Sequence, residues 1–539
     1  MFHLRFGTRA RILGCVSALL VVQALGQSSA DLRLPRIVEK DGRYALFVDG
    51  APFLMLGMQV NNSSAWPAML PKVWPAVESL HANTVEMPVY WEQFEPTPGQ
   101  FDYTVVDTLL AQARDHYVRL VLLWFGTWKN GSGHYTPEWI KKDNARYPHM
   151  IGKTGRNVDS LSPLGTFTVE ADCKAFAALM RHLKAADVRH TVIMVQVENE
   201  SGTWGSIRDY SPAAERLFSG DVPEILLKAL NKQPGTWQQI FGDDADEFFH
   251  AWWVAHSVGQ VAAAGKAAYP LPMYANAALR DPINPGKAGS WESGAPTDDV
   301  LMIWKAAAPS IDVLAPDIYL RDYDKYIKVL DLYHRPDNAM FVPETGNGPD
   351  FARYFFAALG HQAIGFSPFG LDYTGYGNFP LGAGRVDEKT VEPFALNYQI
   401  VGPMQGEIAR LNLEGKVQAV AESPDVHQTT LNFGSWKAVI SFGKPQFGFG
   451  KEPPGNPEPV GGALIAQLGE NEFLVTAVHA RVDFEPSASD LQRQFLRAEE
   501  GNYHDGKWQF IRVWNGDQTD YGLNFTSAPQ TLRITLATY

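Results

Sequence analysis

Cysteine is scarce in this sequence of 539 residues, which contains only Cys15 and Cys173. A disulfide framework and a zinc site built from paired cysteines are therefore excluded. The sequence also lacks a His-Glu-x-x-His motif, a phosphate-binding or dinucleotide-binding glycine signature, and a Gly-x-Ser-x-Gly elbow. These absences argue against zinc peptidases, nucleotide-dependent enzymes and serine hydrolases of the elbow type. We expect neither a metal ion nor a cofactor.

Long apolar runs are also few, and the clearest one lies near the N-terminus. Arg5, Arg9 and Arg11 precede the apolar residues 12–25, and small residues follow at 24–30. This layout is typical of a secretory signal peptide, which we place at residues 1–26. The apolar core is too short for a membrane span. A lipid anchor at Cys15 remains as an alternative, although this cysteine comes early in the apolar core.

The net charge of the chain limits the kinds of molecule that it can bind. Removal of the leader takes away three arginines and no acidic residue, which changes the formal net charge from −13 to −16. Such an acidic chain is unsuited to nucleic acid or an anionic membrane surface. Export without disulfides is compatible with a periplasmic or secreted bacterial protein.

In the next 380 or so residues, short apolar runs alternate with segments whose apolar residues recur at helical spacing. Such a pattern predicts alternating strands and helices. The predicted strands are Phe53–Val60, Thr84–Tyr90, Leu120–Phe125, Thr191–Val197, Leu271–Asn276, Ile311–Ile318, Ala339–Val342 and Ala363–Phe369. Eight such units predict an α/β fold, a (β/α)8 TIM barrel over residues 31–411. Short strands after this point, around a Gly/Pro-rich loop at 443–462, predict a β-sandwich-like C-terminal domain over residues 412–539.

Polar residues follow the predicted strands at the end where a barrel keeps its active site. The fourth strand ends in Glu198-Asn199-Glu200, and Glu344 follows the seventh. Unpaired carboxylates are costly to bury, so packing gives no reason to place them there. Two strand-end glutamates are what cleavage of a glycosidic bond requires, one as acid and one as nucleophile or base. We therefore predict Glu200 and Glu344 as the catalytic pair.

Two segments resemble glycoside hydrolase family 35 β-galactosidases. Residues 198–205, Glu-Asn-Glu-Ser-Gly-Thr-Trp-Gly, are similar to the family's Glu-Asn-Glu-Tyr-Gly-Ser-Tyr-Gly, and residues 95–101 match its Glu-Pro-x-Pro-Gly-x-Phe segment. The resemblance covers about residues 35–410. It implies a retaining β-galactosidase with Glu200 as acid/base and Glu344 as nucleophile. The sequence departs from the family at Ser201 and at the end of the third strand, where Phe-Gly-Thr-Trp-Lys-Asn indicates a divergent bacterial branch, part of it associated with plant-polysaccharide breakdown.

Neighbouring residues are expected to support this pair. The Asn199 amide is placed to hold a sugar 2-hydroxyl, and Tyr319 to donate a hydrogen bond that keeps Glu344 ionised. Glu198 is expected to be structural and paired with a basic or amide group. Asp317 is an alternative catalytic residue, because it also lies near a strand end.

Substrate contacts are predicted from aromatic and polar side chains near the strand ends, since sugars stack on aromatic rings. The candidates are Tyr90, Trp124, Trp128, Asn130 and Tyr373. We expect an oligosaccharide substrate with terminal β-galactose. The alternatives are another β-glycosidase, such as a β-glucosidase or an endo-acting enzyme, and a non-catalytic carbohydrate-binding protein. The C-terminal domain is expected to be non-catalytic and to pack on the barrel or to form a homo-oligomer.

Overall fold

The computed structural model describes residues 34–445, 447, 452–504 and 506–539. The predicted leader at residues 1–26, including Cys15, lies outside the described residues. The first described element is an antiparallel three-stranded sheet. Its strands are β1 (Arg36–Lys40), β2 (Arg43–Val48) and β3 (Ala51–Phe53).

Eight parallel strands form a closed barrel, which confirms the predicted fold class. In order around the barrel they are β4 (Met55–Gln59), β5 (Thr84–Tyr90), β6 (Arg119–Lys129), β9 (Val192–Asn199), β10 (Met273–Ala278), β11 (Val313–Ile318), β12 (Val342–Thr345) and β13 (Gly365–Pro368). Each strand corresponds to one of the eight apolar runs. Strands that are buried on both faces have continuous apolar sequences, and for that reason they could be predicted from the sequence.

The third and seventh barrel strands differ from their predicted bounds. Strand β6 continues past Phe125 to Lys129, and its pairing with β9 shifts register between Trp124 and Lys129. This irregularity allows a segment with polar residues to remain part of the strand. Strand β12 begins only at Val342, so Glu344 lies within the strand rather than after it, and it is paired with Asp317 of β11.

Helices surround the barrel and fill the connections between its strands. They are α1 (Leu70–Leu80), α2 (Trp91–Phe94), α3 (Thr104–Asp115), α4 (Glu138–Lys141), α5 (Thr166–Ala186), α6 (Pro212–Phe218), α7 (Glu224–Leu230), α8 (Trp237–Phe241), α9 (Ala245–Ala268), α10 (Leu301–Ala307), α11 (Tyr323–Tyr333), α12 (Tyr354–Gly360), α13 (Glu388–Val401) and α14 (Gln405–Leu413). Gly402 and Pro403 separate the last two helices, because proline cannot donate a helical hydrogen bond. A small hairpin of β7 (His149–Ile151) and β8 (Asn157–Leu161) follows the third barrel strand.

The C-terminal part consists of two antiparallel sheets. The six-stranded sheet contains β14 (Val417–Ala421), β17 (Gly462–Gly469), β18 (Glu472–Val478), β23 (Thr531–Thr538), β20 (Arg493–His504) and β21 (Lys507–Val513). The four-stranded sheet contains β15 (Gln428–Phe433), β16 (Trp436–Phe442), β19 (Ala480–Pro486) and β22 (Leu523–Phe525). The two sheets share one apolar core, while Val417, Ala419 and Leu464 of the six-stranded sheet belong to the core of the barrel.

Contact between the barrel and these sheets is close. A Cβ atom added at Gly462 would lie 2.1 Å from the ring of Phe356 on α12, and one added at Gly360 would lie 2.1 Å from the Ala419 carbonyl oxygen. The division of the chain at residue 411 stays a prediction. Among the described residues, no helix is both long and apolar enough to cross a membrane.

Candidate active site

A polar cleft opens at the carboxyl end of the barrel strands, where barrels place their active sites. Its volume is about 580 Å³, and its lining includes the predicted residues Asn130, Glu200, Tyr319 and Glu344. Carboxylate oxygens of Glu200, Asp317 and Glu344 lie within 4.8 Å of one another. The fourth, sixth and seventh barrel strands therefore bring three acidic groups to one point.

Hydrogen-bond donors converge on the Glu344 carboxylate. The Tyr319 hydroxyl donates to Oε2 at 2.7 Å, which is the contact expected from the sequence. The amides of Gln59 and Asn199 donate to Oε1 at 2.9 and 3.2 Å. Donors of this kind hold the carboxylate in a fixed orientation at the cleft.

Glu200 has a different environment from Glu344. It follows β9 in a left-handed backbone conformation with φ of 44°, and its N–H donates to Asn276 Oδ1 at 3.0 Å. Burial of the carboxyl raises the pKa of Glu200 to about 7; the charge of Glu344 adds to this rise, while Lys129 and a hydrogen bond with Asp317 oppose it. A glutamic acid that stays protonated up to neutral pH lies here beside a hydrogen-bonded carboxylate. A general acid and a nucleophile are arranged in the same way.

The Asn276 amide contacts two of the three clustered carboxyl groups. Asn276 Nδ2 donates to Asp317 Oδ2 at 2.6 Å and lies 3.5 Å from Glu344 Oε1. Burial raises the pKa of Asp317 well above its usual range, and the charges of Glu344 and Glu200 raise it further. A carboxyl group whose pKa is raised, beside two other acids, suits proton sharing among the three.

Glu198 is structural in its surroundings, but its partner is not the one expected. It is fully buried, and it accepts a hydrogen bond from the Trp128 backbone N–H at 2.7 Å. Its side-chain partner is Asp172 of α5, another acid rather than a basic or amide group. Burial raises the pKa of Glu198 well above its usual range, and the charge of Asp172 raises it further.

Trp124 and Trp128 do not line the cleft, which corrects their prediction as sugar contacts. Trp124 is fully buried and its ring packs against Phe176 of α5, so it points outward from the barrel to the helices. Its Nε1–H donates to Asp172 at 2.8 Å. Trp128 is 2% exposed and donates to Ser160 Oγ at 3.1 Å. Trp124 therefore packs between the third strand and α5, and Trp128 is anchored to β8.

Tyr90 and Tyr373 also lie away from the cleft lining, contrary to their prediction. Tyr90 is 1% exposed and stacks against Trp66 and Tyr135, with centroid distances of 5.2 and 5.4 Å. It supports Tyr135, which does line the cleft. Tyr373 lines a neighbouring depression beside the segment 384–389. The cleft instead uses Tyr376, three residues further along the chain.

Several residues of the site were not predicted from the sequence. Gln59 could have been noticed as a polar residue that ends the first apolar run, and Asn276 ends the fifth. Glu86 lies deeper in the barrel, where burial raises its pKa to about 8 and the Tyr274 hydroxyl donates to it at 2.9 Å. Glu292 comes from the long connection after β10, where no periodic pattern marks it.

The asparagine that precedes Glu200 retains one free acceptor. Asn199 is fully buried, its Nδ2 donates to Glu344, and its Oδ1 has no partner among the described residues. A buried acceptor without a partner is unusual in a native protein. A substrate hydroxyl that donates to this oxygen would complete the hydrogen bonding of Asn199.

The closed barrel of eight parallel strands, with acidic side chains at its strand ends, is a TIM barrel, and several solved structures are similar to it. A glycoside hydrolase family 42 β-galactosidase from G. stearothermophilus matches with a TM-score of 0.50 and 13% identity, over 67% of this chain and 59% of that one. A β-galactosidase from Bacillus circulans sp. alkalophilus matches with a TM-score of 0.49 and 15% identity, over 66% of this chain and 57% of that one. An exo-β-1,4-mannosidase from Opitutaceae bacterium strain TAV5 matches with a TM-score of 0.41 and 16% identity, over 70% of this chain and 62% of that one.

The match to the family 42 enzyme shows a shared fold at 13% identity. The chain spans about three-fifths of the length of each of these neighbours. Membership of family 35 is not established by them. The family described as a domain of unknown function, DUF5597, matches residues 394–526, which include the end of α13, all of α14 and most of the C-terminal sheets. No curated protein matches the chain.

Proposed function

We propose that this protein is a retaining β-glycosidase in which Glu200 is the acid/base and Glu344 the nucleophile. The observation that carries the proposal is the close approach of the two carboxylates, whose nearest oxygens lie within 4.8 Å. Retaining enzymes hold their carboxyl groups roughly 5–5.5 Å apart, whereas inverting enzymes need roughly 6.5–9.5 Å to admit a water molecule. The spacing therefore favours direct attack by Glu344 and retention of configuration.

The separate environments of the two acids support the same roles. Glu344 accepts three hydrogen bonds of 3.2 Å or less, whereas Glu200 has a pKa raised to about 7 by burial. In the first step Glu344 attacks the anomeric carbon while Glu200 gives its proton to the departing oxygen. In the second step Glu200 accepts a proton from water, which then attacks the same carbon and releases Glu344.

For the substrate we propose terminal, non-reducing β-D-galactose of an oligosaccharide or a plant-type polysaccharide fragment. The support is the resemblance of residues 95–101 and 198–205 to family 35 β-galactosidases. The test is a panel of nitrophenyl glycosides at saturating concentration, with the galactoside expected to be cleaved fastest. Cleavage of the β-glucoside or β-mannoside without cleavage of the β-galactoside would refute the galactose assignment and leave the glycosidase assignment intact.

A non-catalytic carbohydrate-binding role is the alternative from another class, favoured by the divergent end of the third strand. Tight galactose binding measured by calorimetry, without turnover of any β-glycoside, would establish it.

Export is the second part of the proposal, with the leader at residues 1–26 removed and the mature protein located in the periplasm or outside the cell. N-terminal sequencing of the protein from its native host tests this. An intact leader on the active protein would contradict it.

A further inference from the structure

One wall of the cleft lies across the barrel mouth from Glu200. Its lining residues come from the segment 61–64, which follows the first barrel strand, and the segment 374–381, which follows the eighth; we call these two segments the distal wall. In the closed barrel the eighth strand lies four positions from the fourth, which Glu200 follows, and it pairs with the first. The cleft therefore extends from the acids to a separate wall on the opposite side of the barrel.

A buried aspartate joins the two segments of the distal wall. Asp372 is fully shielded from solvent. Its carboxylate accepts hydrogen bonds from the backbone N–H and the Nδ2 of Asn61, at 2.7 and 3.0 Å, and from the Thr374 N–H at 3.0 Å. The hydroxyl oxygens of Ser64 and Thr374 lie 3.1 Å apart. These contacts hold the two segments in a fixed relative orientation.

A second buried side chain connects the distal wall to the strand of Glu344. Asn347 lies three residues after Glu344 and is fully buried. Its Nδ2 donates to the Gly370 carbonyl oxygen at 3.0 Å, and its Oδ1 accepts from the Ala383 N–H at 2.7 Å. Asn378 of the wall donates its N–H to the Ala383 carbonyl oxygen at 2.9 Å. The backbone around Asn378 is therefore fixed relative to Glu344.

The distal wall contributes an aromatic ring and two amides to the lining of the cleft. Tyr376 is 60% exposed. Asn62 Oδ1 and Asn378 Nδ2 have no hydrogen-bond partner among the described residues. All three residues line the cleft. A sugar has an apolar ring face and hydroxyl groups that both donate and accept, which this combination of side chains matches.

The proposed mechanism indicates which sugar would meet the distal wall. Glu200 gives its proton to the departing oxygen, so the leaving group would lie on the side of the fourth strand. The sugar that Glu344 attacks would then extend away from Glu200, toward the eighth and first strands. In a pyranose ring, carbon 4 lies opposite carbon 1. The hydroxyls on carbons 4 and 6 are therefore remote from the bond that breaks and nearest to the distal wall.

We propose that the distal wall recognises the transferred sugar, with Tyr376 stacked against its ring and with Asn62 and Asn378 bound to its 4- and 6-hydroxyls. Galactose and glucose differ only in configuration at carbon 4, so these residues discriminate between them. The inference rests on the proposed roles of Glu200 and Glu344, and it assigns to that site the side chains that select its sugar.

The test compares substrates that each lack one hydroxyl. Nitrophenyl β-D-fucoside lacks the 6-hydroxyl of the galactoside, and nitrophenyl 4-deoxy-β-D-galactoside lacks the 4-hydroxyl. A hydrogen bond between neutral groups changes an equilibrium by roughly 2- to 12-fold, so Asn62→Ala and Asn378→Ala should each lower kcat/KM for the galactoside by about that factor. On the analogue that lacks its partner hydroxyl, each variant should match the wild type. Equal losses on all three substrates would overturn the proposal.

Tyr376→Ala tests the aromatic ring. Its kcat/KM should fall by at least a similar factor, because aromatic stacking contributes about as much beyond the area that it buries. Tyr376→Phe keeps the ring and should retain the wild-type value. Because Tyr376 is exposed, its replacement keeps the proposal testable if an asparagine variant does not fold. An unchanged kcat/KM in Tyr376→Ala would contradict the stacking role.

Matched controls lie away from the cleft. Tyr117 is 94% exposed and precedes the third barrel strand, at the opposite end of the barrel from the cleft. Asn157 is exposed on β8 and does not line the cleft. Tyr117→Ala and Asn157→Ala should leave kcat/KM unchanged for every substrate. A fall in either control equal to that in the wall variants would show a general effect of substitution and overturn the proposal.

A binding measurement separates this inference from the proposed function. Calorimetry with free galactose and 4-deoxygalactose measures recognition without turnover. If the wall variants weaken galactose binding but the wild type hydrolyses no glycoside, the wall recognises the sugar and the proposed function fails. If a β-galactoside is hydrolysed and all three alanine variants bind galactose like the wild type, this inference alone fails. If another β-glycoside is the substrate, that sugar and its deoxy analogues replace galactose in both experiments.

Discussion

Replacement of Glu200 by glutamine is the most informative change at this site, because it removes a proton donor without removing its bulk. The pKa of Glu200 is raised to about 7 by burial, so the carboxyl is protonated below that pH and loses its proton above it. Hydrolysis that depends on this proton should therefore fall as the pH rises through about 7. The variant has no proton to lose, and its first step should show no such decline.

The size of the loss should depend on the leaving group. General acid catalysis contributes roughly 10²- to 10⁴-fold, so kcat/KM for an alkyl β-galactoside should fall by that factor. A nitrophenolate leaves without protonation, so glycosylation from a nitrophenyl galactoside should be nearly spared. The glycosyl-enzyme should then accumulate, because water attacks it slowly without a general base. A rapid-quench experiment would show a burst of nitrophenol followed by slow turnover.

Azide provides the decisive control. Because an anion needs no general base, azide should restore turnover of Glu200→Gln and give a galactosyl azide with retained configuration. Glu344→Gln should lose turnover with every leaving group, since the covalent intermediate cannot form. Rescue with retained configuration in the Glu344 variant would reverse the assignment of the two acids.

Three other variants test the supports of the site. Tyr319→Phe removes the hydroxyl that lies 2.7 Å from Glu344 Oε2. A hydrogen bond to a charged group contributes about 1.5–3 kcal/mol, so kcat/KM should fall roughly 10- to 150-fold. An unchanged value would show that the hydroxyl has no part in orienting Glu344. Gly202→Ala places a methyl group 2.5 Å from Glu292 Cγ, and we expect about 1–3 kcal/mol of destabilisation in urea unfolding together with lower activity. Phe356→Ala empties the contact between α12 and the C-terminal sheets, and should lower the free energy of unfolding by about 3–5 kcal/mol; a wild-type midpoint would show that the two parts are independent.

The barrel and the two strand-end glutamates were predictable from the sequence for a physical reason. A strand buried on both faces is apolar throughout, so a glutamate at its end contrasts with its surroundings. Closure of the barrel then brings all eight strand ends to one face, which is how Glu200 and Glu344 meet although 144 residues separate them in the sequence. Neither the recognition of the strands nor the closure of the barrel depends on the conformation of the loops.

The aromatic contacts were not predictable in the same way. Trp124 and Trp128 lie on a strand whose register shifts between Trp124 and Lys129, so sequence alternation could not tell which side chains face the cleft. The structure turns the Trp124 indole toward α5 and the Trp128 indole toward β8, and leaves Lys129 and Asn130 at the cleft. An aromatic residue near a strand end is therefore weak evidence for sugar stacking, because a barrel needs large rings to fill the layer behind its strands.

Glu292 marks the limit of sequence reasoning at this site. The carboxyls that carry out the proposed chemistry lie on or directly after barrel strands, where the alternation of strand and helix locates them. Glu292, whose carboxyl is buried beside Gly202, comes from an irregular connection 92 residues after Glu200, and the Thr203–Ser293 bridge attaches this connection to the loop after Glu200. Loop conformation depends on such specific pairings rather than on a repeated pattern. It follows that sequence locates the acids on barrel strands more readily than an acid on an irregular connection.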